Sequence, residues 1–309
     1  MESAAVICIN FIYMKILYLI TAHDGPRQIH RLINRLSTPD VIFVIHIDKK
    51  MLKKDFLELV SLVPPSEQVI FVEKRVKVYW GDVGLIDAIL RSISYIVEHN
   101  IDFDYVILLS GTHYPIKSNV QIAEYLEKHK GQIFIDYMPI PSLIRWNHLR
   151  GGLDRLRPRI FFRGHRYHAP LDVLKTIFSP AHDFGQKYSV RGLTPYGGIH
   201  WFVLPREVLL YINSYTTAMP AYSTFFKHLD SPEEIFFPTL LMNSKYADDI
   251  INDNLNFMIW PEETSAHPKV LTIEDFDSIK VSHTLFARKV NEVNSRTLLE
   301  RIDNELLSL

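Results

Sequence analysis

The sequence predicts an α/β fold: a single domain with a mostly parallel central sheet flanked by helices. Two observations carry that expectation. Short apolar runs rich in β-branched residues alternate with amphipathic stretches through the first half of the chain, which is the pattern of βαβ units. No internal repeat, low-complexity tract or long linker divides the chain into separate units.

The elements follow in order. ILYLITAH (16–23) reads as a buried strand entered directly from Met14-Lys15, which leaves residues 1–13 as an N-terminal extension before a domain of residues 14–309. Arg27 to Leu36 puts Ile29, Leu32, Ile33 and Leu36 on one helical face. VIFVIHID (41–48) is a second strand and QVIFVEK (68–74) a third. Val83 to Glu98 is a helix with Leu85, Ile89, Ile93 and Ile96 turned inward. YVILLSG (105–111) is continuously apolar, as expected of a central strand covered on both faces. Asn119 to His129 adds a helix and GQIFIDY (131–137) a strand, closing a first half of about residues 14–140. After Pro141 the texture changes. Arg145, Arg150, Arg155, Arg157, Arg159, Arg163 and Arg166 share their segment with a single acid, Asp154, so residues 141–195 read as a basic, loop-rich insertion. Regular structure resumes at IHWFVLP (199–205) and a helix from Arg206 to about Tyr215. NFMIWP, HPKVLTIEDF, SHTLFARKV and a closing helix from Asn294 complete the chain.

Composition bounds the function. With 309 residues, 47% hydrophobic and 12% aromatic, there is enough apolar surface for a substantial core. The 34 basic and 35 acidic side chains leave a formal charge of −1, so no global field recruits nucleic acid or a membrane. Cys8 is the single cysteine, which rules out an intramolecular disulfide and a thiolate metal cluster and points to a reducing compartment. The first twenty residues are apolar, but Lys15 interrupts them, against their being a membrane anchor.

An open α/β sheet binds ligands beyond the carboxyl ends of its strands. The residues there are His23-Asp24, His46 and Asp48, Trp80-Gly81, and Ser110-Gly111. Neither a dinucleotide fingerprint nor a P-loop is present, which argues against dehydrogenases and P-loop kinases. An Asp-x-Asp pair that would hold a divalent metal on a diphosphate is also missing from the central strand end, which reads Ser110-Gly111-Thr112. Asp102-Phe103-Asp104 precedes its strand, Asp275-Phe276-Asp277 comes late, and Asp248-Asp249 is unspaced. No metal is therefore expected, and a departing diphosphate would need fixed cations, for which Arg288-Lys289 is the candidate. The stretch SPEEIFFPT (231–239) supports two readings. Glu233-Glu234 at the head of an apolar segment suits a general base, and Ser231 with Glu234 and Pro232 equally suits a helix-capping box.

Taken together, TAHDGPRQIHRLINRL, IHIDKK, Trp80-Gly81, LLSGTHYPIKSN, GGIHWFVLPRE, SPEEIFFPTLL and LFARKV resemble the core-2/I-branching β-1,6-N-acetylglucosaminyltransferases, a family that includes peptide O-xylosyltransferases. The resemblance spans roughly residues 15–290. It implies a GT-A-like fold and an inverting, metal-independent transfer from a UDP-sugar co-substrate, N-acetylglucosamine first and xylose second, to a glycan hydroxyl in surface polysaccharide synthesis. It implies Glu234 as the base, Glu233 in a variable acidic position, and His23 and Asp48 on the uridine side. Trp80, Gly81, Ser110 and Gly111 then line the donor edge. Lys289 would neutralise the diphosphate, with its partner cation to be found among Arg288, Lys269 and His267. Trp201, in the Gly-x-x-Trp block, would border the reacting sugars. Since anchor and disulfides are missing, the expectation is a bacterial member in the cytoplasm, peripheral on the inner membrane. Arg157 and Arg159 fall where acceptor contacts are expected. They would meet an acidic or lipid-linked glycan or an anionic membrane face, with a solvated loop as the alternative. A non-catalytic nucleotide- or glycan-binding module on the same fold is the alternative function.

Overall fold

The computed structural model describes residues 14–142, 145–156, 190–227, 229–262, 265 and 267–308. The chain begins β1 (Ile16–Ala22), α1 (Pro26–Leu36), β2 (Val41–Ile47), α2 (Lys53–Leu62), β3 (Val69–Phe71), α3 (Gly84–Glu98) and β4 (Tyr105–Ser110). It continues with β5 (Tyr114–Pro115), α4 (Asn119–Lys128), β6 (Ile133–Ile135), β7 (Met138–Pro139) and a 3₁₀ stretch at Asn147–Leu156. Then come β8 (Tyr196–Gly197), β9 (Phe202–Pro205), α5 (Arg206–Ala218), α6 (Pro220–Phe226) and α7 (Glu233–Met242). The last elements are β10 (Ile250–Ile251), β11 (Asn256–Phe257), α8 (Phe276–Lys280), β12 (Phe286–Ala287) and α9 (Arg296–Glu305).

Seven strands form one sheet in the order β10-β6-β9-β4-β1-β2-β3, with β4 at its centre as its composition suggested. Every pairing in it is parallel except those of β9, which runs antiparallel between β4 and β6. Strand alternation explains why helices cover both faces. Leu17 and Leu19 of β1 join the core that holds Ile86, Ile89 and Ile93 of α3, whereas Tyr18 and Ile20 join the core of Ile29, Leu32 and Ile33 from α1. No helix among the described residues is long and apolar enough to cross a membrane.

Three local differences from the sequence reading have physical causes. In α3 the inward position falls to Ile86, which shares the face of Ile89 and Ile93, and Leu85 is half-buried at the edge of that core. Strands β5, β11 and β12 are two residues long and carry no readable periodicity, yet they pair as a second sheet that fixes the 285–290 segment. Helix α7 forms, but Ser231 does not cap it. Pro232 occupies the N-cap in helical conformation with no side-chain cap hydrogen bond, and Ser231 sits at φ 48°. The capping reading of this motif is thereby replaced: the two acids open the helix without the reciprocal bonds of a capping box.

The C-terminal helix is tied down by charge. Buried Asp303 of α9 takes Arg31 Nη2 at 2.7 Å, Arg35 Nη2 at 2.8 Å and a hydrogen bond from the Tyr114 hydroxyl at 2.6 Å. Removing the carboxylate leaves two guanidinium groups and a buried hydroxyl without their shared partner. Asp303→Asn is expected to lower unfolding free energy by about 3 kcal/mol in urea titrations.

Candidate active site

Parallel strands bring their carboxyl ends to one edge, so the turns after β1, β2 and β4 meet there. The turn after β4 is built on a histidine. Ser110 N–H donates to His113 Nδ1 at 2.8 Å, and Ser110 Oγ lies 2.8 Å from the same nitrogen and 3.0 Å from Thr112 Oγ1. Thr112 C=O accepts from Val290 N–H at 2.9 Å, and β12 pairs with β5, so the LFARKV segment is stitched to this turn. At Gly111 a side chain would meet Ile29 and Ala22 at 3.0–3.1 Å, which makes this glycine a packing requirement between β4 and α1.

On this support Arg288 lies over the Trp201 ring, 4.6 Å from its centre. Trp201 is 3% exposed and is flanked by His113 edge-on at 4.5 Å and by His200 at 4.1 Å. Burial pushes the Arg288 guanidinium down to about 10. Burial, then the Arg288 charge, holds His200 at about 3 and His113 well below the usual histidine range, so both rings are neutral at physiological pH. No carboxylate among the described residues pairs with Arg288. Trp201, expected beside the reacting sugars, is the buried platform of this cation.

Lys289 stands next to it, its ammonium lowered by burial and by Arg288 and raised by Asp24. Of the three candidates for a partner cation, Lys269 is committed elsewhere, 2.7 Å from buried Asp275. His267, edge-on to Trp80 at 5.8 Å, is lowered by burial and by Lys289 and Arg288. Arg288 is the fixed charge that remains.

At the end of β2, Asp48 is 3% exposed and holds the next loop in place. Its Oδ1 accepts from Lys50 N–H at 2.7 Å and its Oδ2 from Val78 N–H at 3.3 Å. His46 Nε2 accepts from Val76 N–H at 3.0 Å, and burial keeps that ring near 4. The pinned segment delivers Trp80, 49% exposed, and Gly81, whose φ of 73° lets its carbonyl accept from Ser231 N–H at 3.0 Å. His23 is exposed, with Asp24 at 3.4 Å.

That last hydrogen bond brings the carboxylate pair into the site. Glu234 C=O accepts from Gly198 N–H at 2.8 Å, three residues before Trp201, so α7 is fastened both to the Trp80-Gly81 loop and to the segment entering β9. A side chain at Gly198 would lie 2.1 Å from Asp136 O, so that approach requires glycine. Burial and the neighbouring Glu234 push the Glu233 carboxyl up to about 8. Burial also raises Glu234, opposed by Arg155, whose Nη1 is 2.7 Å from Glu234 Oε2. Asp230 raises it further and Arg145 lowers it.

The structure thus gathers Trp80, Gly81, Ser110, Gly111, Glu233, Glu234, Trp201, Arg288 and Lys289 around one strand edge. Sequence reasoning missed His113, His200 and the Arg155–Glu234 pair. His200 precedes Trp201 directly and was available to inspection; the partner of Arg155 was not, because contacts this distant in sequence leave no spacing to read. Arg157 and Arg159 lie outside the described residues. No group of three or more His, Cys, Asp or Glu that could hold a metal ion occurs among the described residues.

The strand edge thus combines a carboxylate pair with a buried cation on an α/β fold. The chain belongs to the Core-2/I-branching enzyme family, whose model matches residues 16–281. It is similar to the xylosyltransferase oxt of Drosophila melanogaster, 23% identical over 317 residues, covering 95% of this chain and 33% of that protein. It is likewise similar to xylosyltransferase 2 of Rattus norvegicus and of Homo sapiens, each 26% identical over 95% of this chain and 34% of the relative. The chain spans about a third of the length of these curated relatives.

The raised Glu233 has a consequence for stability. Its folded value of about 8 lies above its ordinary 4.5, so its contribution is full below pH 4.5 and is lost as pH climbs through 8. Glu233→Gln cannot ionise. Its melting temperature, followed from pH 5 to pH 9, is expected to decline less than that of the wild type.

Proposed function

We propose that this chain is an inverting, metal-independent glycosyltransferase that moves a sugar from a UDP donor to a hydroxyl of a glycan acceptor. The observation that carries the reading is the buried Arg288 on Trp201, which no carboxylate among the described residues neutralises, with Lys289 beside it, at the same strand edge as Glu234. Such a cation in a water-poor site favours a ligand with two negative charges, and a nucleotide diphosphate supplies them. Fixed cations in this position take the part that an Asp-x-Asp-bound metal has elsewhere, in keeping with the strand end Ser110-Gly111-Thr112.

In this mechanism Glu234 accepts the proton of the acceptor hydroxyl as its oxygen attacks C1 of the donor sugar. The new C1–O bond forms while the C1–O bond to the diphosphate breaks, and UDP departs with the electron pair toward Arg288 and Lys289. A single displacement inverts the anomeric centre. The raised carboxylate suits a base, because a group closer to neutrality both remains ionised and accepts a proton with less penalty. The names of the relatives support xylose as the transferred sugar, and the resemblance of the sequence blocks implies N-acetylglucosamine, so both donors belong in the assay. His23 and Asp48 would stand on the uridine side. The acceptor would belong to surface polysaccharide synthesis on the cytoplasmic face of a bacterial membrane.

The two halves of the site separate experimentally. Glu234→Gln is expected to lower kcat by about 10²- to 10⁴-fold with UDP affinity unchanged. Wild-type rates in that variant would remove Glu234 as the base. Arg288→Met keeps volume and removes charge; calorimetry in EDTA should show UDP binding weakened by about 10- to 100-fold. The same variant should melt at a higher temperature, since a desolvated charge is gone. Unchanged UDP binding in Arg288→Met would move the diphosphate elsewhere.

A further inference from the structure

Arg155 came from an arginine-rich segment with no assigned partner, and its surroundings are unusually determined. Its Nη1 is 2.7 Å from Glu234 Oε2, with the two side chains 16% and 28% exposed. The other face of its guanidinium system is occupied by Trp146, whose ring centre is 4.3 Å away. Trp146 itself sits in a slot made by glycines: a Cβ at Gly152 would lie 2.5 Å from the indole and one at Gly197 would lie 2.4 Å from it. Gly151 and Gly152 adopt φ of 70° and 93°, and Gly151 O accepts from Ser142 N–H at 2.9 Å while Gly151 N–H donates to Trp146 O at 3.0 Å. The turn is therefore closed on itself, and it presents one cation to one carboxylate oxygen.

The geometry points to Arg155 as the positioning residue of the base: it holds Glu234 through Oε2, keeps it ionised and leaves Oε1 for the acceptor hydroxyl. This rests on the reading of Glu234 as the base. Glu234 Oε2 is shielded from solvent, so the remaining exposure of that side chain lies on its other atoms. Among the described residues, the charged groups facing Glu234 are Arg155 and Arg145 from the insertion, Asp230 from the preceding loop, and Glu233 beside it. Arg145 is itself drawn to Asp136 at 3.6 Å, which leaves Arg155 as the closest counter-charge among the described residues. A stack on Trp146 fixes the plane of the guanidinium, a constraint that an ammonium at the same place cannot reproduce.

The test reads the carboxylate directly and the turnover separately. Protein labelled with [¹³C]carboxyl glutamate is titrated, and the Glu234 resonance is assigned by its loss in Glu234→Gln. Arg155→Gln is expected to raise the Glu234 midpoint, because the cation that favours the ionised form is gone. Arg155→Lys is expected to keep the midpoint near the wild-type value, yet to lower kcat for UDP release from UDP-xylose or UDP-N-acetylglucosamine about 10- to 100-fold, with KM for the donor unchanged. A merely structural staple would change melting temperature and leave both the midpoint and the ratio of kcat to KM alone. A midpoint unmoved in Arg155→Gln, or full turnover in Arg155→Lys, overturns the proposal. If Arg155→Gln does not fold, the lysine variant decides by its kcat. If neither sugar nucleotide is hydrolysed, the titration decides. Failure of Glu234 as the base would instead show as full activity in Glu234→Gln with the Arg155-dependent midpoint intact.

Discussion

The burial of Arg288 against Trp201 is the constraint on which the rest of the site depends. A guanidinium taken out of water is costly unless an anion or hydrogen bonds compensate it, and the described residues offer an aromatic face rather than a carboxylate. Keeping the charge there needs a rigid frame. Trp201 is supplied by the segment running into β9, the lone antiparallel strand of the main sheet, and the 285–290 segment is clamped by β5 and Thr112 O. The protonation of the neighbours follows first from the same burial and second from this charge. His113 and His200 are held neutral by burial with Arg288 beside them, so neither competes with it for an anion.

On the other flank, two adjacent acids open α7. A helix N-terminus favours negative charge, but burial and mutual repulsion oppose a second one. The pair resolves this asymmetrically: Glu233 is pushed up to about 8, whereas Arg155 compensates Glu234. The segment 196–201 joins the flanks, since Gly198 bonds the Glu234 carbonyl and Trp201 carries Arg288. The spacing between base and cation is thus fixed by backbone within one short stretch rather than by side chains reaching across a cleft. That stretch tolerates little change, because Gly198 abuts the Asp136 carbonyl and Gly197 abuts Trp146.

Much of this was legible in the chain. The parallel strands announced themselves because both of their faces are buried, so their apolar runs are continuous, and β4 was central for the reason its composition gave. The strand-end rule singled out Ser110 and Gly111, and the approach to α3 singled out Trp80 and Gly81, before any contact was known. Helix α2 escaped because KKDFLELVSL buries a single residue fully, Leu59, and so has a weak stripe. The minor sheet escaped because two-residue strands have no period. Arg155 could not be matched to Glu234, because the contact is created by the Trp146 turn, whose left-handed glycines look like any flexible loop in sequence. Asp48 was expected as a site residue, whereas its grip on Lys50 and Val78, which shapes the Trp80 loop, is a property of the fold.

Among the described residues Arg288 has no carboxylate partner, whereas several other cations do. Lys269, hydrogen-bonded through its backbone to the same segment, is matched by buried Asp275 at 2.7 Å. Arg31 and Arg35 converge on Asp303, and Arg155 meets Glu234. Lys289 has Asp24 near enough to raise it, yet burial and Arg288 outweigh that influence. Among the described residues Arg288 lies against an indole ring with no carboxylate partner, which leaves a standing electrostatic deficit at the strand edge. An anionic ligand removes that deficit on binding, so affinity is drawn from free energy already stored in the folded chain. The deficit also sets the direction of catalysis in the proposed reaction: charge accumulates on the diphosphate as it departs, and Arg288 interacts more strongly with that product than with the intact donor.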